Sequence, residues 1–240
     1  MSEKRKIMAK ICLDPGHGGS DSGGTGWGRK EKADVLDIAL RIKKLLEAQG
    51  VSVIMTRTTD KDITIAQRTS LANKEECDYF LSIHRDAFAD ASANGSSMFI
   101  YSGASAATEK KAKTIYDAVI KAAPFRKRGL KKGAANYKDY GVNKNTTMSA
   151  ALLELGFITN KGDNAIFELK KDAIALEIAK ALCSIVGVAY KVKTVSNTES
   201  GDKKVVYTVQ AGAFSVKKNA ETQAAKLKAA GFDAIIVKKE

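Results

Sequence analysis

Apolar and polar positions alternate along the chain with two different periods. Between residues 31 and 49, apolar side chains recur every three to four positions and Gly50 follows as a stop, a pattern typical of an amphipathic helix. Residues 11–13 form a short apolar run instead, which is typical of a buried strand. By the same criteria, helices are predicted over 31–49, 65–76, 106–122 and 172–188, and strands over 11–13, 51–55, 78–84 and 97–101. Because strands alternate with helices, we predict an α/β fold with a mostly parallel twisted sheet flanked by helices on both faces.

The stretch 124–145 follows neither period and is strongly basic. Its positive side chains are Arg126, Lys127, Arg128, Lys131, Lys132, Lys138 and Lys144. We predict a loop there, which either is simply solvated or faces an anion at the rim of a site.

A polar stretch at 191–203 separates the end of the chain from the rest and has the composition of a linker. The segment 204–240 beyond it has the pattern of a β-α-β unit. Its elements are predicted at 205–210, 217–230 and 233–238. So short a unit is below the size at which a domain usually stabilises itself. We therefore predict a large domain over 1–190 and expect the small unit to pack on that domain or on a second copy of itself.

Composition narrows the class of protein. The 240 residues are 44% hydrophobic and 28% charged, which is typical of a globular protein. No run approaches the roughly 18 apolar residues of a membrane helix, so we expect no membrane insertion. The basic start leads into an apolar stretch too short for a secretion signal, so we expect synthesis in the cytoplasm without a signal peptide. The net charge of +13 favours a polyanionic partner, whether nucleic acid, an anionic wall polymer or a membrane surface.

The three cysteines, Cys12, Cys77 and Cys183, show no paired spacing, and each has an apolar residue within two positions. We predict buried reduced thiols, not metal ligands or a disulfide.

The chain has two histidines, and both fall near the ends of predicted strands. His17 lies between glycines just after the first strand, and His84 ends the third. Open α/β sheets place their sites at the carboxyl ends of strands. Two histidines and a carboxylate form a recurrent zinc-ligand set that leaves a position open for water. The sequence therefore predicts a zinc site that includes both imidazoles.

Three acidic residues compete for the third ligand position. Glu31 begins the helix after the glycine-rich loop 23–28, which gives it a fixed place near His17. Asp21 and Asp34 are the alternatives, and spacing does not separate them from Glu31.

Glu154 is the one carboxylate inside the apolar run 150–157. Burying such a group is costly without a charged or metal-bound neighbour. Because burial raises the pKa of a carboxylate towards neutrality, Glu154 is the candidate general base.

At these residues the sequence resembles the zinc-dependent N-acetylmuramoyl-L-alanine amidases of the amidase-3 family. The matching motifs are Leu13-Asp14-Pro15-Gly16-His17-Gly18-Gly19, Glu31 before a long helix, Met55-Thr56-Arg57 with Arg68 and Ala72-Asn73, Ser82-Ile83-His84, and Leu153-Glu154-Leu155-Gly156-Phe157-Ile158-Thr159-Asn160. The resemblance implies Zn²⁺ bound by His17, Glu31 and His84, with Glu154 as the catalytic glutamate. It also implies the bond that is cut, the amide between N-acetylmuramic acid and L-alanine of the peptidoglycan stem peptide.

One departure from the family is clear. The family usually follows its second histidine with a small residue and asparagine, whereas Arg85 and Asp86 follow His84 here. If that asparagine positions substrate, the rate or the stem-peptide preference differs in this chain.

The tail resembles the SPOR repeat through Tyr207-Thr208-Val209-Gln210-Ala211-Gly212-Ala213-Phe214 and Ala229-Ala230-Gly231-Phe232-Asp233-Ala234. Such domains bind peptidoglycan glycan strands and consist of two β-α-β halves, of which one is present in 204–240. This motivates the hypothesis that the protein is a homodimer through residues 204–240, with each chain supplying one half.

The resulting prediction is a bacteriolytic peptidoglycan hydrolase, either a phage endolysin or a mother-cell autolysin of sporulation. It would reach the cell wall after a holin opens the membrane or after mother-cell lysis. Its charge suits anionic wall polymers. The alternative is a non-catalytic peptidoglycan-binding protein with a structural metal site, against which Glu154 argues. The lysines are scattered and no nucleic-acid motif is present, so we expect no nucleic-acid partner.

Overall fold

The computed structural model of the chain describes residues 9–134, 139–191, 215–229 and 236–237. The strands are β1 (Lys10–Pro15), β2 (Thr25–Gly26), β3 (Arg29–Lys30), β4 (Ser52–Met55), β5 (Tyr79–Asp86), β6 (Ser96–Ile100), β7 (Lys127–Lys132) and β8 (Ser149–Phe157). The helices are α1 (Glu31–Glu47), α2 (Ile65–Lys74), α3 (Ala106–Ala122), α4 (Gly141–Lys144), α5 (Lys161–Ile185) and α6 (Lys217–Ala229). The chain divides into two units, residues 1–192 and 193–240.

Six strands of the larger unit form one sheet in the order β4-β1-β5-β8-β6-β7. Neighbouring strands are parallel except for β6 and β8, which are antiparallel. The apolar residues of α1, α3 and α5 pack on one face of this sheet, and those of α2 and α4 pack on the other. The predicted α/β fold, mostly parallel and covered on both faces, is therefore confirmed.

The central strands β1, β5 and β8 are buried along nearly their whole length. Strands buried on both faces carry continuous apolar runs, which is why the sequence pattern predicted β1 and β5 as strands and marked the place of β8 as an apolar run. Their register brings His84 of β5 beside Glu154 of β8. The same edge of the sheet also receives the loop that follows β1, because β1 pairs with β5 over Ile11 to Pro15.

The prediction did not include β2, β3 and α4, and it differs from the structure at two further elements. The basic stretch predicted as a loop contains β7, an edge strand whose Arg128 and Gly129 amides both donate to the hydroxyl of Tyr116. Lysines along an exposed edge prevent pairing with other chains, so a strand in this place shows no apolar period. Helix α5 begins eleven residues earlier than predicted, at Lys161, because the side chain of Asn160 accepts from the Asp163 amide and caps it.

In the smaller unit, α6 confirms the predicted helix. The predicted linker 191–203 and the predicted strands 205–210 and 233–238 lie outside the described residues, apart from Lys191, Ile236 and Val237.

Two further expectations concern membranes and thiols. Among the described helices, none is long and apolar enough to cross a bilayer. Cys12, Cys77 and Cys183 are buried and free, as predicted.

Candidate metal centre and active site

The site begins at the end of β1, where the fully buried carboxylate of Asp14 is held from three sides. Thr56 Oγ1 and Arg68 Nη1 donate to Asp14 Oδ1 over 2.6 and 2.7 Å, and Ser82 Oγ donates to Oδ2 over 2.7 Å. A buried charge with a charged partner and two hydroxyl donors is fully satisfied. This network fixes the point at which the chain leaves the sheet.

Two buried arginines then hold the backbone of the loop that carries His17. Arg68 Nη2 donates to the His17 carbonyl over 2.8 Å, and Arg57 Nη2 donates to the Gly16 carbonyl over 2.7 Å. His17 has a φ of 56°, a left-handed conformation that is uncommon for a residue other than glycine. A Cβ on Gly16 would lie 2.1 Å from the imidazole of His84, so only glycine allows this close approach.

His17, Glu31 and His84 converge at the mouth of this loop. His17 Nε2 lies 3.1 Å from Glu31 Oε1, His84 Nδ1 lies 3.0 Å from the same oxygen, and the two nitrogens are 3.2 Å apart. Four ligands at about 2.0–2.1 Å from a zinc ion in a tetrahedron lie about 3.3 Å from one another. Two imidazole nitrogens and one carboxylate oxygen at these separations therefore fit a zinc ion with a fourth position left open.

Asp21 sets the tautomer of His17. Its Oδ2 lies 2.7 Å from His17 Nδ1 and can only accept, so Nδ1 carries a hydrogen, and Nε2 is the nitrogen that would present its lone pair to a bound metal. Asp21 therefore contacts the ring nitrogen of His17 that faces away from the site, and it does not supply one of the three converging ligand atoms. A carboxylate in this position orients a histidine ligand and raises its basicity.

Glu31 is held in place from the backbone. The Arg85 amide donates to Oε1 over 2.9 Å and the Gly24 amide donates to Oε2 over 2.8 Å. Burial by itself raises the pKa of Glu31, but hydrogen bonds from His17 and His84 outweigh it and hold that pKa well below its ordinary value. The carboxylate is therefore charged when the imidazoles face it.

Asp34, the other alternative for the third ligand, is hydrogen-bonded to two arginines instead. Arg29 donates to both of its carboxylate oxygens, over 2.9 and 2.8 Å, and Arg85 Nη1 donates to Oδ2 over 2.6 Å. Both arginines lie over the ring of Phe167. Of the three acidic candidates, Glu31 alone places an oxygen against both histidines.

Glu154 lies next to His84 across the β5–β8 pair and is 8% exposed. Among the described residues, its Oε2 has no hydrogen-bond partner. Burial, together with the negative charges of Glu31 and Asp86, raises the pKa of Glu154 well above its ordinary value. A carboxyl group whose pKa is raised in this way is suited both to take up and to release a proton.

A cleft of about 370 Å³ opens over these groups. It is lined by the polar groups of the site and by apolar residues, among them Ile65 and Val142, together with Tyr140. Asp86 and Ala87 also line it.

The two residues that depart from the family pattern have different surroundings. Arg85 is buried, its guanidinium donates to Asp34 and its backbone amide donates to the Glu31 carboxylate, so its role is structural. Asp86 lines the cleft, and burial raises its pKa. The roles of Arg57 and Arg68 were not predicted, because each contact joins segments whose proximity only the fold creates. Asp21, four residues from His17, was predicted only as an alternative third ligand.

Comparison with known proteins shows two family matches. The family described as N-acetylmuramoyl-L-alanine amidase matches residues 11–184, and the SPOR domain family matches residues 203–240. The amidase match includes both histidines, Glu31 and Glu154.

Individual relatives extend over most of the chain. N-acetylmuramoyl-L-alanine amidase CwlM of Bacillus licheniformis is 37% identical over 232 residues, covering 96% of this chain and 85% of the relative. The sporulation-specific N-acetylmuramoyl-L-alanine amidase of Bacillus subtilis (strain 168) is 38% identical over 235 residues, covering 97% and 86%. The catalytic domain of CwlV, an amidase from Bacillus (Paenibacillus) polymyxa var. colistinus, superposes with a TM-score of 0.69 at 27% identity, over 75% of this chain and 99% of that domain. The chain therefore belongs to the N-acetylmuramoyl-L-alanine amidase family and carries a SPOR domain match at its end.

Proposed function

We propose that this protein hydrolyses the amide between N-acetylmuramic acid and L-alanine in peptidoglycan with the help of a zinc ion held by His17, Glu31 and His84. The observation that carries the proposal is the convergence of their three ligand atoms within 3.2 Å of one another, beside a buried carboxyl group. A bound zinc ion supplies a Lewis acid, which acidifies water and polarises a carbonyl.

Glu154 performs the proton transfers in this proposal. Its carboxylate takes a proton from the attacking water as the water oxygen bonds to the amide carbon. It then gives that proton to the nitrogen of L-alanine as the carbon–nitrogen bond breaks. Its free Oε2 and raised pKa suit both steps. Asp21 keeps His17 in the ligand tautomer throughout.

Mass spectrometry of digested wall tests the bond assignment. We expect new L-alanine amino termini and no new reducing sugars. Reducing sugars without free amino termini would identify a glycosidase and overturn the proposal.

The alternative, a non-catalytic wall-binding protein with a structural metal, leaves Glu154 unexplained. A buried carboxyl oxygen without a partner is costly, and a structural site has no use for it.

For the tail we propose glycan binding and dimerisation through residues 204–240. In α6, Ala220, Gln223, Ala224 and Leu227 are half-buried at the spacing of one helix face, whereas Ala225 is exposed. A stripe of this kind on so short a unit suits a shared interface.

Light scattering on the full chain tests the dimer. Leu227→Asp should shift a dimer to monomer, and the control Ala225→Asp should leave the dimer intact. A monomeric wild-type protein would contradict the dimer.

We also propose that the protein acts on the wall only once the producing cell is lysed from within, by a phage holin or at the end of sporulation. The sporulation-specific name of the Bacillus subtilis relative supports this. Fractionation of intact producing cells should find the protein in the cytoplasm, and protein on the wall of unlysed cells would contradict it.

We further propose that the protein attaches to anionic wall polymers, which its net charge of +13 supports. Binding measured at graded salt concentration tests this proposal.

A further inference from the structure

The β2–β3 hairpin, which directly precedes α1, has an unusual turn. Gly26 pairs with Arg29, so Trp27 and Gly28 form a two-residue turn, with φ of 54° and 74°. Two-residue hairpin turns with both φ positive favour asparagine, aspartate and glycine, and a bulky side chain there is an outlier. Packing does not account for the exception, since Trp27 is 61% exposed. Backbone strain of this kind points to a function for the side chain.

The indole of Trp27 is nevertheless held in a fixed place. Its Nε1 donates to the Thr159 carbonyl over 3.0 Å, and Lys161 Nζ lies 5.6 Å from the ring centroid. The hydroxyl of Thr159 accepts from the amide of Phe88 over 3.3 Å. Phe88 is also 61% exposed. Thr159 therefore contacts both the indole of Trp27 and the backbone of Phe88, and so links the segments that carry the two exposed aromatic residues.

Both aromatic residues are close to the cleft along the chain. Gly24, whose amide donates to Glu31 Oε2, comes three residues before Trp27. His84 comes four residues before Phe88, and Ala87 lines the cleft. A path of four residues spans at most about 14 Å. Each ring is thus carried by a segment that starts at the site, and the two segments approach each other, since a Cβ on Gly24 would lie 2.9 Å from Ala87 Cβ.

We propose that Trp27 and Phe88 form a second binding site, which takes N-acetylhexosamine rings of the glycan strand next to the muramoyl residue whose amide is cut. The inference rests on the proposed function. A sugar ring has an apolar face of C–H groups and a polar edge, so it can cover an exposed aromatic ring while its hydroxyls stay in water. Exposed aromatic pairs at the rim of a cleft mark ligand-binding surfaces.

Intrinsic fluorescence tests the binding site directly, because Trp27 is the only tryptophan of the chain. The full-length protein is titrated with peptide-free oligosaccharides of alternating N-acetylglucosamine and N-acetylmuramic acid. We expect a saturable blue shift of the emission. Covering about 60 Å² of aromatic surface corresponds to about tenfold in affinity, so Phe88→Ala should raise the midpoint about tenfold.

The control for this titration is Leu169→Ala on α5, which removes a side chain that is 78% exposed and does not line the cleft. Its midpoint should equal that of the wild-type protein. A wild-type emission that does not respond to the oligosaccharides, or a midpoint that Phe88→Ala leaves in place, overturns the proposal.

Kinetics separate this inference from the proposed function. Trp27→Asn removes the ring but suits the turn conformation, so the hairpin is retained. We compare kcat/KM on polymeric peptidoglycan with kcat/KM on a single N-acetylmuramoyl peptide. The polymer-to-monomer ratio should fall about tenfold in Trp27→Asn and stay constant in Leu169→Ala. An unchanged ratio in Trp27→Asn overturns the glycan site alone, whereas a wild-type protein that cleaves neither substrate overturns the proposed function.

Discussion

Replacing Arg68 by methionine should reveal how strongly the loop of His17 depends on one guanidinium group. Arg68 is 5% exposed and donates to Asp14 Oδ1 over 2.7 Å and to the carbonyls of Pro15 and His17 over 2.8 Å each. Its loss leaves the Asp14 carboxylate buried without a charged partner, which costs about 3–5 kcal/mol of unfolding free energy. For a unit of this size, that loss lowers the melting temperature by about 6 to 20 °C.

Thermal and urea unfolding of four proteins give the measurement: wild type, Arg68→Met, Asp14→Asn and the double variant. Asparagine can still accept from Thr56 or Ser82, so the double variant should be about 1–3 kcal/mol more stable than Arg68→Met alone. Arg41→Met is the control, because Arg41 pairs with Asp37 on an exposed helix face and should cost less than about 1 kcal/mol. If Arg68→Met costs no more than Arg41→Met, the buried pair does not anchor the loop.

Three further predictions concern the site. Asp21→Asn weakens the orientation of His17, so zinc affinity measured by competition with a chelator should fall about 10- to 100-fold, and an unchanged affinity would contradict the role of Asp21. Gly16→Ala places a methyl group against the His84 imidazole, so it should abolish zinc binding in a folded protein, which circular dichroism verifies. Because the pKa of Glu154 is raised by burial, its charged form opposes folding at neutral pH. Metal-free Glu154→Gln should therefore be more stable than wild type at pH 7, and the difference should vanish as pH falls below about 4.3, where the unfolded carboxylate is also protonated; an equal difference at both pH values would argue against this cause.

Local sequence pattern predicted most of the sheet because its central strands are buried on both faces. Continuous apolar runs such as Asp78 to His84 need no knowledge of their neighbours to be recognised. Strand β7 was missed because an edge strand is protected by charge, which removes the apolar signal. The beginning of α5 was missed because a polar first turn and the Asn160 cap precede its apolar part.

The candidate site was predictable where its residues are rare in the chain or are charged within an apolar run. The two histidines and Glu154 in its apolar run stood out from the sequence alone. Sequence spacing could not decide whether Glu31 or Asp34 is the third ligand. The choice depends on the hydrogen bonds that Arg29 and Arg85 donate to Asp34 in the folded protein. The support of His17 by Arg68 likewise joins residues 51 positions apart.

The central proposal, three ligands for one zinc ion beside a separate proton-transferring carboxyl group, can be tested on one variant. Zinc content and release of L-alanine amino termini are measured on the same sample of Glu154→Gln. We expect about one zinc ion per chain, as in the wild-type protein, and no release above background. A variant that releases amino termini at the wild-type rate, or one that loses its zinc together with its activity, would contradict the separation of metal binding from proton transfer.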